Sequence, residues 1–449
     1  MENPLELLCD YLIEPGCVRK ENLALGIKAL ADGIGVLLSG RSSGIYKQVR
    51  SSVKKLHGGG EAEGLADQIF LDAAALHSQE WNDLYYQRPG HPSAVILPAS
   101  LDAALWLSCS GEEFLEAYLV GMETASRMNC LLLPRHHERG FHSTCVSGAA
   151  GAAAAVGKLL NLSKEKMAHA LSLAQTLAGG LRASFGTDGN PLQTARASRD
   201  GACAAFWAEE GLQGRTGILT QSQGFLEAFD GKPKEAKQEF SKLFTESLFQ
   251  NPGLILKKYP LCYSVYQAVD AALQIREQME AVPRNIKKII CETSPLNLYS
   301  LPAGIPQETY AERFSMPYGI AAALIFGRIG TDTFGMSGRK DFVRLMEKCK
   351  VCAAKELAGS KGYGFTRVRL EMEDGSILTG TGVPDPDDRI ENWSESARKE
   401  KFCRCTKDIW NKAEALRVYE EVKEIADQKN LREWESTLPL DKGGKHVRL

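Results

Sequence analysis

The stretch Ser143-Thr144-Cys145-Val146-Ser147-Gly148-Ala149-Ala150-Gly151-Ala152-Ala153-Ala154-Ala155-Val156-Gly157-Lys158-Leu159-Leu160 decides the fold class. It is a helix of small residues, and alanine is the best helix former. It follows Phe141-His142, and Ser143 or Thr144 is expected to cap it. Side chains without bulk let neighbouring helices approach closely, so this segment marks the crowded centre of a helical domain. The neighbours agree. Upstream, Glu112 to Met128 spaces Phe114, Leu115, Tyr118, Leu119 and Met122 at three- and four-residue intervals, an amphipathic helix. Downstream, Ser163 caps a helix with Met167, Leu171, Leu173 and Leu177 on its apolar side, and Gly179-Gly180 ends it.

The texture changes near Pro252. Ile286 to Thr293 reads as a strand, and Ala311 to Ile329 and Lys340 to Cys349 as helices. Phe365 to Met372 alternates, with Val368, Leu370 and Met372 on one side and Arg367, Arg369 and Glu371 on the other. Asp374-Gly375 turns the chain, and Ile377 to Thr381 returns as a second strand. Pro384-Asp385-Pro386-Asp387-Asp388 closes this unit, and charged helical sequence resumes from Ser394 to about Lys429. The expected fold is mainly α: a large all-helical domain over 1–253 and 390–449, with a smaller α+β lid domain inserted at 254–389.

The chain of 449 residues has a net charge of −2, which gives no basic groove for nucleic acid and no polybasic patch for a membrane surface. Acids and no basic run mark Met1 to Tyr11, so no signal peptide is expected. Nor is a membrane span expected, for want of about 18 consecutive apolar residues. The twelve cysteines read as reduced thiols in a cytoplasm, because a chain this long needs no disulfides to hold a core.

Several motifs invite chemistry. Cys349-x-x-Cys352 and Cys403-x-Cys405 lack the glycines and compact spacing of a structural zinc site, so no metal is expected. Gly40-Arg41-Ser42-Ser43-Gly44 matches G-x-S-x-G and His57-Gly58-Gly59-Gly60 looks like an oxyanion loop, but their order is reversed relative to serine hydrolases. Both read as helix connections. Adjacent His136 and His137, with His142 beyond, do not face one point on a helix. Gly90-His91-Pro92-Ser93 and Gly140-Phe141-His142-Ser143-Thr144 form a stronger pattern. Each places a histidine after a glycine turn and before a helix start, where the helix field attracts anions and keeps imidazole neutral. A third polar loop, Gly186-Thr187-Asp188-Gly189-Asn190-Pro191, precedes a helix expected to begin near Thr194. Three such loops can converge on a small anion.

In order and spacing, Ala31 to Gly40, His77 to Asp83, Gly90 to Pro98, Gly140-Phe141-His142, Gly186 to Ala197, Lys257-Lys258-Tyr259-Pro260 and Phe314-Ser315-Met316-Pro317-Tyr318 resemble the MmgE/PrpD family. The resemblance covers nearly the whole chain. It implies a homodimer with a site between the domains, no metal or organic cofactor, and a small di- or tricarboxylate substrate. The implied reactions are 2-methylcitrate dehydration first, then epimerisation of an aminodicarboxylate such as iminodisuccinate, then cis-aconitate decarboxylation. A helical binding protein without catalysis is the alternative from another class. Carried over by motif, His91 and His142 are the site histidines, Tyr318 a proton donor, and Lys257 a carboxylate anchor, with Glu80 and Asp83 as the acidic positions. Asn190 replaces the lysine of decarboxylase-like members, and Cys262 lies where many members carry a histidine nearby. Arg88, Arg182 and Arg196 are candidate replacement cations.

Overall fold

The computed structural model describes the chain except residues 1–2, 61–63, 87, 248–252, 280–281, 283–284, 359–363 and 386–387. The change of texture at Pro252, and Pro386 and Asp387 of the closing segment, lie outside the described residues.

The molecule is mainly α. The small-residue helix, Ser143–Leu159, lies at the centre of the larger core and buries every residue except Lys158. Helices Pro92–Leu107, Gly111–Leu132, Lys164–Leu177 and Gly189–Glu209 pack around it. The packing is close enough to demand glycine. A Cβ on Gly151 would stand 2.7 Å from the Gly121 carbonyl oxygen, and one on Gly201 would stand 2.4 Å from that of Ala149. The N-cap of the central helix is His142 rather than Ser143 or Thr144, which are its first two residues. Ser163 does cap the following helix, accepting from the Lys166 N–H. The third polar loop ends earlier than expected, because its helix starts at Gly189.

Chain beyond residue 390 completes this same core. Glu395–Thr406 and Lys412–Lys423 pack on helix Lys20–Gly40, and Phe402, Val418, Val422 and Leu431 join its apolar cluster. Lys401 meets Asp32 at 2.6 Å, with both side chains about nine-tenths or more buried. Glu21–Gly40 is by length and composition alone long and apolar enough to cross a membrane, although Lys28 and Asp32 interrupt its apolar residues, as the expectation of no unbroken apolar run requires. Here it is a core helix, packed on Leu65–His77 and Pro92–Leu107. Gly40 to Gly44 is a helix connection: Ser42 donates to the Ser39 carbonyl, and Ser43 caps helix Gly44–Leu56.

A second apolar core lies between a sheet and helices Tyr266–Glu277, Met316–Phe326 and Lys340–Lys348. Two short strands, β1 (Leu84–Tyr85) and β2 (Leu254–Ile255), pair antiparallel and tie the two cores together. The sheet holds β3 (Ile286–Thr293), β4 (Cys349–Ala353), β5 (Thr366–Met372) and β6 (Ile377–Gly382) in the order β4-β3-β5-β6. β4 runs parallel to β3, and the other pairs are antiparallel. In β5, Val368, Leu370 and Met372 point inward, as the alternation predicts. Two segments depart from expectation. Ala311 to Ile329 is not one helix: the chain breaks after Glu312, and Ser315 caps Met316–Phe326. Cys349 opens β4 instead of closing a helix, so Cys349 and Cys352 lie on a strand. All twelve cysteines are free thiols.

Candidate active site

Where the two cores meet, a small cavity of about 50 Å³ is lined by His77, Glu80, His91, His142, Asn190 and Cys262, with Phe185 and Phe314 as apolar walls. A wider cleft of about 580 Å³ reaches Tyr310 and Arg313 from another side, but its described lining holds no histidine or cysteine.

Helix ends deliver the histidines. His91 is the N-cap of Pro92–Leu107, with proline in the first turn. Gly90 precedes it at φ 137°, where a Cβ would meet Asn129 and Tyr85, so the turn needs glycine. The His91 N–H donates to Thr144 Oγ1 at 3.0 Å, which ties this cap to the start of the central helix. His142 caps that helix, its own N–H donating to the Gly180 carbonyl at 3.0 Å. His77 closes helix Leu65–His77 and stands between them, its ring centroid 5.2 Å from that of His91 and 6.2 Å from that of His142.

These rings are held neutral. Burial, with the Lys257 ammonium second, pushes His91 down to about 3. Burial and the neighbouring imidazoles push His142 well below the usual histidine range. His77 is also lowered, by burial first.

Beside the rings lies a buried polar cluster. Lys257 Nζ donates to both the carbonyl oxygen and Oε2 of Glu80, at 2.8 and 3.0 Å. Glu80 adopts φ 50°, a left-handed conformation that this double grip holds in place. Burial alone raises a carboxyl, but the Lys257 ammonium outweighs it and keeps Glu80 ionised. Its Oε1 accepts from Asn190 Nδ2 and from the Tyr310 hydroxyl, each at 3.1 Å.

Five proposed site residues therefore line one cavity: Glu80, His91, His142, Asn190 and Cys262. The Cys262 thiol is pushed up to about 11 by burial, so it stays protonated. The others stand elsewhere. Lys257 lies behind Glu80, and the carboxylate it anchors is Glu80's own. Asp83 is beneath the cavity, accepting from the Ser93 N–H and hydroxyl, while its carbonyl holds His91. Arg88 turns toward the Cys130 thiol. Arg182 donates to the carbonyls of His137 and Tyr299, and Arg196 lies near Asp200 on an outer face. Tyr318 requires correction as the proton donor. It is buried in the second core, donates to the Thr333 carbonyl at 2.8 Å, and packs on Phe334 and Phe342. The tyrosine bonded to the site's carboxylate is Tyr310, from the short helix Thr309–Glu312 that ends before the break. Sequence reasoning missed Tyr310 and His77. The helix break would have exposed the first, and the second stands at the head of the quoted His77 to Asp83 segment.

Fold and cavity together define a helical protein with neutral histidines gathered at helix starts, beside an α+β unit. The chain belongs to the MmgE/PrpD family: the N-terminal domain model matches residues 26–238 and the C-terminal domain model residues 259–425. Among curated proteins it is similar to the cis-aconitate decarboxylase of Homo sapiens, 28% identical over 69% of this chain and 66% of that protein, just under two thirds of its length. The cis-aconitate decarboxylase of Aspergillus terreus is 26% identical over 74% of each chain. A cis-aconitate decarboxylase-like protein of Aspergillus oryzae is 26% identical over 87% of this chain and 89% of its own.

Proposed function

We propose that this chain is a lyase acting on a small di- or tricarboxylate, generating or quenching negative charge on the carbon beside a carboxylate, with His91 and His142 at the reacting atoms. The observation that carries this reading is the convergence of two buried, neutral cap histidines on one cavity. Neutral imidazole both accepts a proton and donates a hydrogen bond, the two tasks enolate chemistry requires.

Decarboxylation is the first reaction to test, because the relatives bear that name. In it the C–CO₂ bond breaks, its electron pair passes into the conjugated acid, and the carbon then takes a proton. Dehydration is the second reading. A base removes the proton beside the carboxylate, the electron pair forms the alkene, and hydroxide leaves with the proton as water. Asn190 favours it, since the resemblance places a lysine there in decarboxylase-like members, and here that position carries an uncharged amide bonded to Glu80. The expected assembly is a homodimer.

Incubation with a panel of citrate-like, aconitate-like and aspartate-derived acids in D₂O separates the reactions. CO₂ release marks decarboxylation, water loss with alkene absorbance marks dehydration, and deuterium uptake without mass loss marks epimerisation. Replacing His142 or His91 by Ala is expected to lower turnover at least ~100-fold. Unchanged turnover in both variants would remove the histidines from the reaction.

A further inference from the structure

The proton position on each cap histidine follows from what its Nδ1 touches. His91 Nδ1 lies 2.7 Å from the carbonyl oxygen of Asp83. A carbonyl only accepts, so the proton sits on Nδ1 and Nε2 keeps its lone pair. At His142 the neighbour is an amide: Gln193 Nε2 lies 2.9 Å from His142 Nδ1. Leu181 fixes which end of that amide is which. Its N–H donates to Gln193 Oε1 at 2.8 Å, and its carbonyl accepts from Gln193 Nε2 at 3.2 Å. Asn190 Oδ1 also lies 3.2 Å from Nε2, so the two amide hydrogens are shared among three acceptors. Turning the amide round would set donor against donor and oxygen against oxygen. Gln193 therefore presents N–H to His142 Nδ1, which must accept, and the proton of His142 is on Nε2. The Cys145 thiol, 3.1 Å from the same Nδ1, is a second donor, and burial keeps it protonated by pushing it up to about 12. Among the described residues neither Nε2 has a hydrogen-bond partner, and both rings line the cavity.

We propose that Gln193 is a positioning residue that locks His142 as a neutral Nε2–H donor, opposite His91, whose Nε2 is the acceptor. The proposal deepens the lyase reading and rests on it for the chemical consequence. A neutral imidazole gives up its last proton only at very high pH, so His142 does not transfer one. It donates a hydrogen bond to the carboxylate oxygen on which negative charge grows, as neutral histidines at helix starts do elsewhere. In the dehydration reading His91 Nε2 takes the proton and returns it to the leaving hydroxide; in the decarboxylation reading the carbon's proton comes from water, since neither neutral ring supplies one.

Nitrogen-15 NMR of histidine-labelled protein reads both tautomers without any substrate. In the unaltered protein His142 is expected to show a protonated, pyrrole-type Nε2 and a pyridine-type Nδ1, and His91 the reverse. Gln193→Glu keeps an acceptor for the Leu181 N–H but faces His142 with a carboxylate, so the His142 proton should move to Nδ1. Gln193→Met should leave a mixture. His91 signals should not change in either variant, which reports that the fold is intact. With an acid that is turned over, both variants should lose kcat by roughly 10²–10³-fold with KM within a few-fold, the scale for one oxyanion donor. A proton on His142 Nδ1 in the unaltered protein, or a retained Nε2–H in Gln193→Glu, overturns the proposal. The unaltered spectrum decides even if neither variant folds. Tautomers as stated with no acid turned over would sink the lyase reading and uphold Gln193's hold on His142.

Discussion

Glu80 carries more of the site than any other single residue. Its carboxylate neutralises a fully buried lysine, accepts from Asn190 and Tyr310, and sits beside His77. Removing one partner of a buried pair strands the other charge, which costs more than the pair itself contributes. Glu80→Gln is therefore expected to lower stability by ~3–5 kcal/mol, seen as a lower urea midpoint. Adding Lys257→Met should recover part of that loss. A double variant as unstable as the two single losses summed would show that the pair is not coupled. At this scale the sequence was partly legible. A histidine between a glycine and a helix start was legible as standing just before the helix, and both stand there, but as the N-caps themselves, where Ser143 or Thr144 was expected to cap the central helix. Tyr318 and Tyr310 were not separable. Both precede or open an apolar helix, and only the break between Glu312 and Met316 turns one toward Glu80 and the other into the second core.

At the scale of elements, close approach is the controlling quantity. The Ser143–Leu159 helix works because glycine and alanine on three helices remove the bulk between them. Gly201→Ala places a Cβ 2.4 Å from the Ala149 carbonyl and 2.6 Å from Ala152 Cβ. Overpacking of this kind should cost ~1–3 kcal/mol, read as a lowered thermal midpoint. Gly44→Ala, with nothing within 4 Å of the added carbon, is the matched control and should shift stability by no more than about 0.5 kcal/mol. Equal losses at the two positions would refute the packing argument. Element types were legible because periodicity and capping are local. Element ends were less so: the helix after the third polar loop begins at Gly189, and the helix expected through Cys349 stops at Lys348. Those ends are chosen by which carbonyls and N–H groups find partners across the fold.

At the scale of the whole molecule, the helical core closes on its own C-terminal segment. Phe402 packs within 3.1 Å of the Cβ position of Gly35, and Lys401 pairs with Asp32 inside the core. A chain ending at residue 393 would open this face of helix Lys20–Gly40 and leave Asp32 buried without its cation. It is expected to aggregate or to unfold without a cooperative transition, checked by calorimetry and size-exclusion chromatography. A cooperative, monodisperse truncated chain would show that the C-terminal helices are an ornament. The second core reaches the site through the β1–β2 ribbon, which sets Lys257 within reach of Glu80.

Composition, helical periodicity and the glycine–histidine pattern determined a mainly helical molecule and two histidines just before helix starts, because those features depend on neighbours in the chain. The family likeness was also readable, as ordered segments along it. Only the tertiary structure decided that Lys257 is neutralised by Glu80, that Tyr310 and not Tyr318 bonds Glu80 beside the cavity, that His77 packs against both cap histidines, and that Gln193 faces His142. Those contacts join residues far apart in sequence, and their geometry is set by how closely the helices pack.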